Sequence, residues 1–159
     1  MLKAYGIKNL VLCETSEARI EEAKRCGVEF ILNPMKDDVA AVLKEKWGKG
    51  ADVGIDAVGV GVVLEQLVDL ANKGGRILVF GQNATQTSTI RPATVNVKEL
   101  TIIGCQAVYH SIPEAIQMMS YIGDDIAKIV SHELPLSEIL DGIQLLRERK
   151  ALKIVIYPQ

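Results

Sequence analysis

The run Ile77-Leu78-Val79-Phe80 is apolar at every position, and it narrows the fold more than any other stretch. A strand with one wet face alternates apolar and polar residues. A strand that is apolar throughout is covered on both faces, the condition of a parallel sheet between helices. Similar short runs stand at Leu10-Val11-Leu12-Cys13, Phe30-Ile31-Leu32, Val53 to Val58 and Leu100-Thr101-Ile102-Ile103. Aromatics make up 4% of the chain against 48% for all hydrophobic residues, so the core must be packed from Val, Ile, Leu and Ala.

Helical patterns fill the intervals. Ser16 is placed to cap a helix with Glu17 in its first turn, Lys24 and Arg25 in its last, and Gly27 at its close, an order that complements the helix dipole. Asp37 or Asp38 opens a helix to about Trp47, ended by Gly48-Lys49-Gly50. Val60, Leu64, Leu67, Val68 and Ala71 fall on one stripe of the next helix, which Asn72-Lys73-Gly74-Gly75 terminates. Residues 83–98 read as a polar connection too irregular for a helix. Beyond them come a helix from about Ile112 to Ile122, a strand from Val130 to Leu134, a helix capped by Ser137 running to about Arg149, and a closing strand at Ile154-Val155-Ile156. Regular alternation of strand and helix predicts an α/β architecture.

Several function classes are disfavoured. A net charge of −2 with interspersed signs offers no basic field for nucleic acid or an anionic membrane surface. No apolar run approaches the roughly 20 residues of a membrane span, and the N-terminal residues lack the apolar core of a secretory signal. Three separated cysteines, Cys13, Cys26 and Cys105, suit a reducing cytoplasm better than a disulfide framework. Cys13 and Cys26 read as small core residues.

Glu14 ends the first strand and precedes a helix. In a dinucleotide-binding α/β domain a carboxylate there accepts hydrogen bonds from the adenosine ribose and repels a 2′-phosphate, favouring NAD over NADP. An acid at a helix start is also favoured by the dipole alone, and both readings stand. The ribose reading calls for a glycine-rich phosphate loop about 20 residues earlier, which would lie before Met1 and leave the chain beginning inside the first helix of the fold. Gly59-Val60-Gly61 is not that loop: Leu64 occupies the place of the third glycine, and no acid follows at the expected distance. It reads better as a tight turn that lets a cofactor approach backbone closely.

Four segments, in order, resemble the medium-chain dehydrogenase family, in its zinc-containing alcohol and polyol (sorbitol- or threonine-dehydrogenase-like) branch. They are Glu14-Thr15-Ser16-Glu17-Ala18-Arg19, Gly50-Ala51-Asp52-Val53-Gly54-Ile55-Asp56-Ala57-Val58-Gly59, Gly74-Gly75-Arg76-Ile77-Leu78-Val79-Phe80-Gly81 and Lys98-Glu99-Leu100-Thr101-Ile102-Ile103-Gly104. The resemblance spans essentially the whole chain. It implies a truncated Rossmann-type doubly wound parallel sheet lacking its first strand and glycine-rich loop, plus a C-terminal α/β segment. Residues 1–106 would be the incomplete dinucleotide-binding domain, and 107–159 would pack on a catalytic domain absent from the sequence.

By matching position, the resemblance assigns Glu14 to the adenosine ribose, with Arg19 flanking it. Val58 and Gly59 would line the adenine-ribose side, and Phe80, Gly81 and Gln82 would pass beside the nicotinamide ribose. Backbone near Cys105 and Gln106 would meet the nicotinamide amide. Lys153 would face the phosphates, or be a solvated lysine before an edge strand. The connection ending in 100–103 matches the family's dimer interface, so a homodimer or homotetramer is expected. The cofactor would be NAD, and the substrate of the full protein a small alcohol or polyol. Zinc belongs to the parent family, but this chain holds no ligands for it: His110 and His132 are the only histidines and no cysteine lies at metal-motif spacing from them. His110 reads as a loop residue and His132 as a near-surface strand residue. The implied activity is hydride transfer from a secondary alcohol to NAD, with the fragment inactive alone. A non-catalytic nucleotide-binding or oligomerisation module, and a zinc-free quinone-reductase-like member, are the alternatives.

In such a sheet the missing strand is central, so the strands at 10–13 and 53–58 would lose a shared neighbour. The gap is expected to close by direct pairing, by the strand at 154–157, or by exchange between chains.

Overall fold

The computed structural model describes residues 2–106 and 111–158. In chain order the elements are β1 (Leu12–Cys13), α1 (Glu17–Arg25), β2 (Ile31–Leu32), α2 (Val39–Trp47), β3 (Ala51–Asp56), α3 (Gly61–Leu70), β4 (Ala71–Val79), α4 (Pro92–Val97), β5 (Thr101–Gly104), α5 (Ile112–Ile122), β6 (Val130–Pro135), α6 (Ile139–Arg147) and β7 (Lys153–Tyr157). Short 3₁₀ turns cover Gly123–Ile129 and Leu136–Glu138. The fold is the expected α/β type with parallel strand pairing. The chain divides into two compact units, Met1–Asp37 with Ser111–Gln159, and Asp38–His110. His110 itself lies outside the described residues.

The second unit is built on the parallel sheet β3-β4-β5, in which Gly54, Ile77 and Ile102 share one register and Ile55, Leu78 and Ile103 the next. Helix α3 lies against the Gly54–Ile77 face. Val68, Ala71 and the fully buried Ile77 make the core, with Leu64, Leu67, Ile90 and Leu100 packed round them. Leu64, Leu67, Val68 and Ala71 are the stripe expected from a repeat of about 3.6 residues. Gly54 lets α3 come close, since a Cβ there would stand 2.9 Å from Leu67 Cδ2. The opposite face is barer than the apolar runs predict, with Val53 and Ile55 exposed, and β5 is exposed on both of its faces.

Lys98 closes the far end of α3. Its ammonium donates to the carbonyl oxygens of Val68, Asp69 and Ala71 at 3.0, 2.7 and 3.1 Å. Those carbonyls lie where a helix end has no intrahelical donors left and where the dipole favours a cation.

Three local expectations are corrected. Residues 83–98 are not all irregular, because Pro92 fixes the first turn of α4. Strand β4 begins at Ala71 rather than Ile77: the chain turns straight out of α3 and pairs Ala71 with Ala51 across a register shift before the regular ladder. Ser16 and Ser137 supply no side-chain cap; Ser16 occupies the N-cap position without its hydroxyl bonding, and Ser137 lies in the 3₁₀ turn before α6. Asp38, by contrast, caps α2 by accepting from Ala41 N at 3.0 Å. Gly27 and Gly48 close their helices at φ +75° and +71°, a conformation glycine adopts at low cost.

The first unit contains two separate parallel pairs, β1-β2 and β6-β7. On β6-β7 the bare Cα of Gly142 seats α6, with Leu134 Cδ1 3.2 Å from where a Cβ would be. His132 is half-buried in β6, its Nδ1 3.0 Å from Ser131 Oγ. The expected closure of the gap within the chain is not found among the described residues. Residues 12–13 pair with β2, β3 pairs only with β4, and the 154–157 strand is taken by β6. Cys13 is likewise no core residue: it is exposed, while Cys26 is partly covered. Partial desolvation, and then the Asp37 carboxylate, push the Cys13 thiol up from its ordinary pKa.

Candidate functional site

Parallel strands send every carboxyl end to the same edge, and in open α/β sheets ligands bind just outside it. In the second unit that edge carries the turn after β3 (residues 57–60), the segment after β4 (80–82) and the residues after β5 (105–106). Val58, Gly59, Phe80, Gly81 and Gln82 are thereby brought together. The backbones of the first two segments cross in contact. Gly59 has φ +78°, and a Cβ on it would stand 2.8 Å from Gln82 N. A Cβ on Gly81 would overlap Gly59 N and stand 2.5 Å from Val58 N. These glycines accommodate the close crossing of the chain's own backbone. Gly61 is filled too, since a Cβ there would overlap the Thr87 carbonyl. Gly59-Val60-Gly61 thus has no open phosphate cradle.

Asp56 ties this edge together, and the sequence reading missed it. It is 2% exposed. Its Oδ1 accepts from Val58 N and Gly59 N, both at 2.9 Å. Its main-chain oxygen accepts from Phe80 N at 2.9 Å and Gly81 N at 2.7 Å. An acid directly after Val53-Gly54-Ile55 was the available signal, because a carboxylate is buried only where donors compensate its lost hydration. Phe80 is half exposed. Cys105 N donates to Val79 O at 3.0 Å, which carries β5 one step beyond its ladder. Cys105 and Gln106 are exposed.

In the first unit Glu14 stands at the carboxyl end of β1, its N–H donating to Leu32 O at 3.0 Å. Its Oε1 accepts from Thr15 N at 2.7 Å and Ser16 N at 2.9 Å, holding the turn that leads into α1. Oε2 lies 3.7 Å from Arg19 Nη1. Glu14 and Arg19 thus form an ion pair at the surface. Both the helix-start reading and the ribose reading of Glu14 fit this geometry, because one oxygen is committed to backbone and the other faces a cation at the surface. Lys153 is the exposed first residue of β7, in the β6-β7 sheet. Among the described residues no group of three or more His, Cys, Asp or Glu could hold a metal ion. A shallow apolar hollow lined by Ile90, Pro92, Val95, Asn96, Glu99 and Leu100 sits before the amino end of β5, away from this edge. No described helix is long and apolar enough to cross a membrane.

Residues 1–121 match the family model described as zinc-binding dehydrogenase. An L-threonine 3-dehydrogenase of Caldanaerobacter subterraneus is 27% identical over 164 residues, covering 99% of this chain and 47% of its own length. A sorbitol dehydrogenase of Ovis aries is 26% identical, covering 97% of this chain and 44% of its own. Among solved structures, an alcohol dehydrogenase of Thermotoga maritima superposes with TM-score 0.88 at 25% identity, over 99% of this chain and 45% of that one. A short chain alcohol dehydrogenase of E. coli CFT073, complexed with the cofactor NADH, superposes with TM-score 0.85 at 25% identity, over 96% and 46%. The chain spans about half the length of the curated relatives it matches.

Proposed function

Since the chain belongs to the zinc-binding dehydrogenase family, we propose that it forms the cofactor-binding side of an NAD-dependent alcohol or polyol dehydrogenase. The observation that carries this is the meeting of 57–60 with 80–82 at the carboxyl edge of parallel strands, where dinucleotides bind in this architecture. Glu14 suits the adenosine ribose: Oε2 can accept from a vicinal diol, and a carboxylate already at the helix start disfavours a 2′-phosphate. Arg19 steadies that carboxylate. Val58 and Gly59 would line the adenine-ribose side, Phe80, Gly81 and Gln82 the nicotinamide ribose, and Cys105 and Gln106 the amide, with Lys153 toward the phosphates. Once bound, the nicotinamide ring supplies the hydride acceptor; these residues hold and orient it.

Zinc does not fit the described residues, which offer no ligand set. The same absence favours a second reading, a nucleotide-binding or oligomerisation module without chemistry of its own. In the first reading residues 1–106 serve the cofactor, 107–159 serve a catalytic domain, and the chain by itself is inactive. A homo-oligomeric, cytoplasmic enzyme acting on a small secondary alcohol or polyol is the proposed whole. The exposed edge strand β5 supports association between copies.

An NADH titration of the ¹⁵N-labelled chain tests the proposal. Amide shifts should concentrate at 14–16, 58–59 and 80–82, with affinity no tighter than about 1 mM, roughly −4 kcal/mol, because no glycine-rich phosphate cradle is available. Shifts scattered over other surfaces, or none at about 10 mM, would overturn the cofactor reading. Micromolar binding would overturn the expected weakness.

A further inference from the structure

We propose that Asp56 is a positioning residue, which sets the spacing between the two loops that receive the dinucleotide without touching the dinucleotide itself. The proposal rests on the cofactor reading above. At 2% exposure the side chain presents almost no surface to a ligand. Yet four N–H groups from two loops converge on this one residue. Val58 and Gly59 donate to its carboxylate, and Phe80 and Gly81 donate to its main-chain oxygen.

The two halves of Asp56 divide the work. Its main chain anchors the β4 loop in a way that any residue at this position would share. Its side chain alone anchors the β3 loop, through the two bonds that Oδ1 accepts. If only the packing of β3 against α3 were at stake, an apolar side chain would serve there and avoid the desolvation of a carboxylate. The carboxylate therefore holds residues 58–59 against 80–81, where the Gly59 and Gly81 backbones leave no slack.

The test compares Asp56→Asn, which keeps an acceptor oxygen in place, with Asp56→Ala, which has none, both in the full chain. Amide hydrogen exchange and NADH-induced amide shifts are the readouts. In Asp56→Ala, exchange at Val58 and Gly59 should quicken about tenfold while Phe80 and Gly81 stay protected. NADH affinity should fall about fivefold, the equivalent of one lost hydrogen bond. Asp56→Asn should stay within about twofold of wild type in both. Uniform quickening across β3 and β4, or NADH affinity unchanged in Asp56→Ala, would leave a structural role only and overturn the proposal. So would an Asp56→Asn that behaves like Asp56→Ala. Should Asp56→Ala fail to fold, Asp56→Glu keeps the charge but moves the oxygen by one methylene; wild-type affinity in that variant overturns the proposal, and weakened affinity supports it. An absent NADH response in wild type overturns the cofactor reading and the positioning role together, whereas a normal response that ignores Asp56 overturns the positioning role alone.

Discussion

Gly81→Ala should be far costlier than a half-buried position suggests. The added methyl would overlap Gly59 N and stand 2.5 Å from Val58 N and 2.6 Å from Val58 C, where unstrained contact needs about 3.5 Å. The obstructing atoms are backbone, so no side chain can swing aside. The two loops must part by roughly 1 Å, enough to break the Gly81 N–H bond to Asp56 O at 2.7 Å or the Val58 and Gly59 bonds to its carboxylate. Losing two bonds at about 1 kcal/mol each, with residual overpacking of about 1–2 kcal/mol, gives a destabilisation of about 3–4 kcal/mol. Gly104→Ala is the control: a Cβ there meets nothing within 4 Å and the backbone has no positive φ, so its effect should stay within about 0.5 kcal/mol. Urea unfolding of both variants, with the denaturant slope unchanged, measures the difference. If Gly81→Ala unfolds within about 1 kcal/mol of Gly104→Ala, the tight crossing of the loops is refuted.

Other perturbations separate local from long-range contributions. Lys98→Met should destabilise by about 1–3 kcal/mol, because three carbonyls at the end of α3 lose a charged donor; amide exchange in the last turn of α3 should quicken with it. Asp38→Ala should cost about 1 kcal/mol by removing the cap on Ala41 N, whereas Ser16→Ala should cost under about 0.5 kcal/mol since its hydroxyl caps nothing. Equal losses from those two, read by urea unfolding, would contradict the cap geometry.

The sequence by itself determined what depends on neighbours a few residues away. The stripe Leu64, Leu67, Val68 and Ala71 was legible because helical geometry repeats every 3.6 residues or so, and it is the face on Ile77. Asp38, Gly27 and Gly48 declared helix ends by local chemistry alone.

Only the tertiary structure decided what depends on strand register. Asp56 holds two loops together because the parallel pairing of β3 with β4 brings Val79 opposite it; nothing in the spacing from 56 to 80 announces that. Lys98 reaches carbonyls 27 to 30 residues earlier in the chain for the same reason. Cys13 and Val53 look like core residues in one dimension and are exposed in three, because apolar character states what a side chain favours, while burial requires a neighbouring element to cover it.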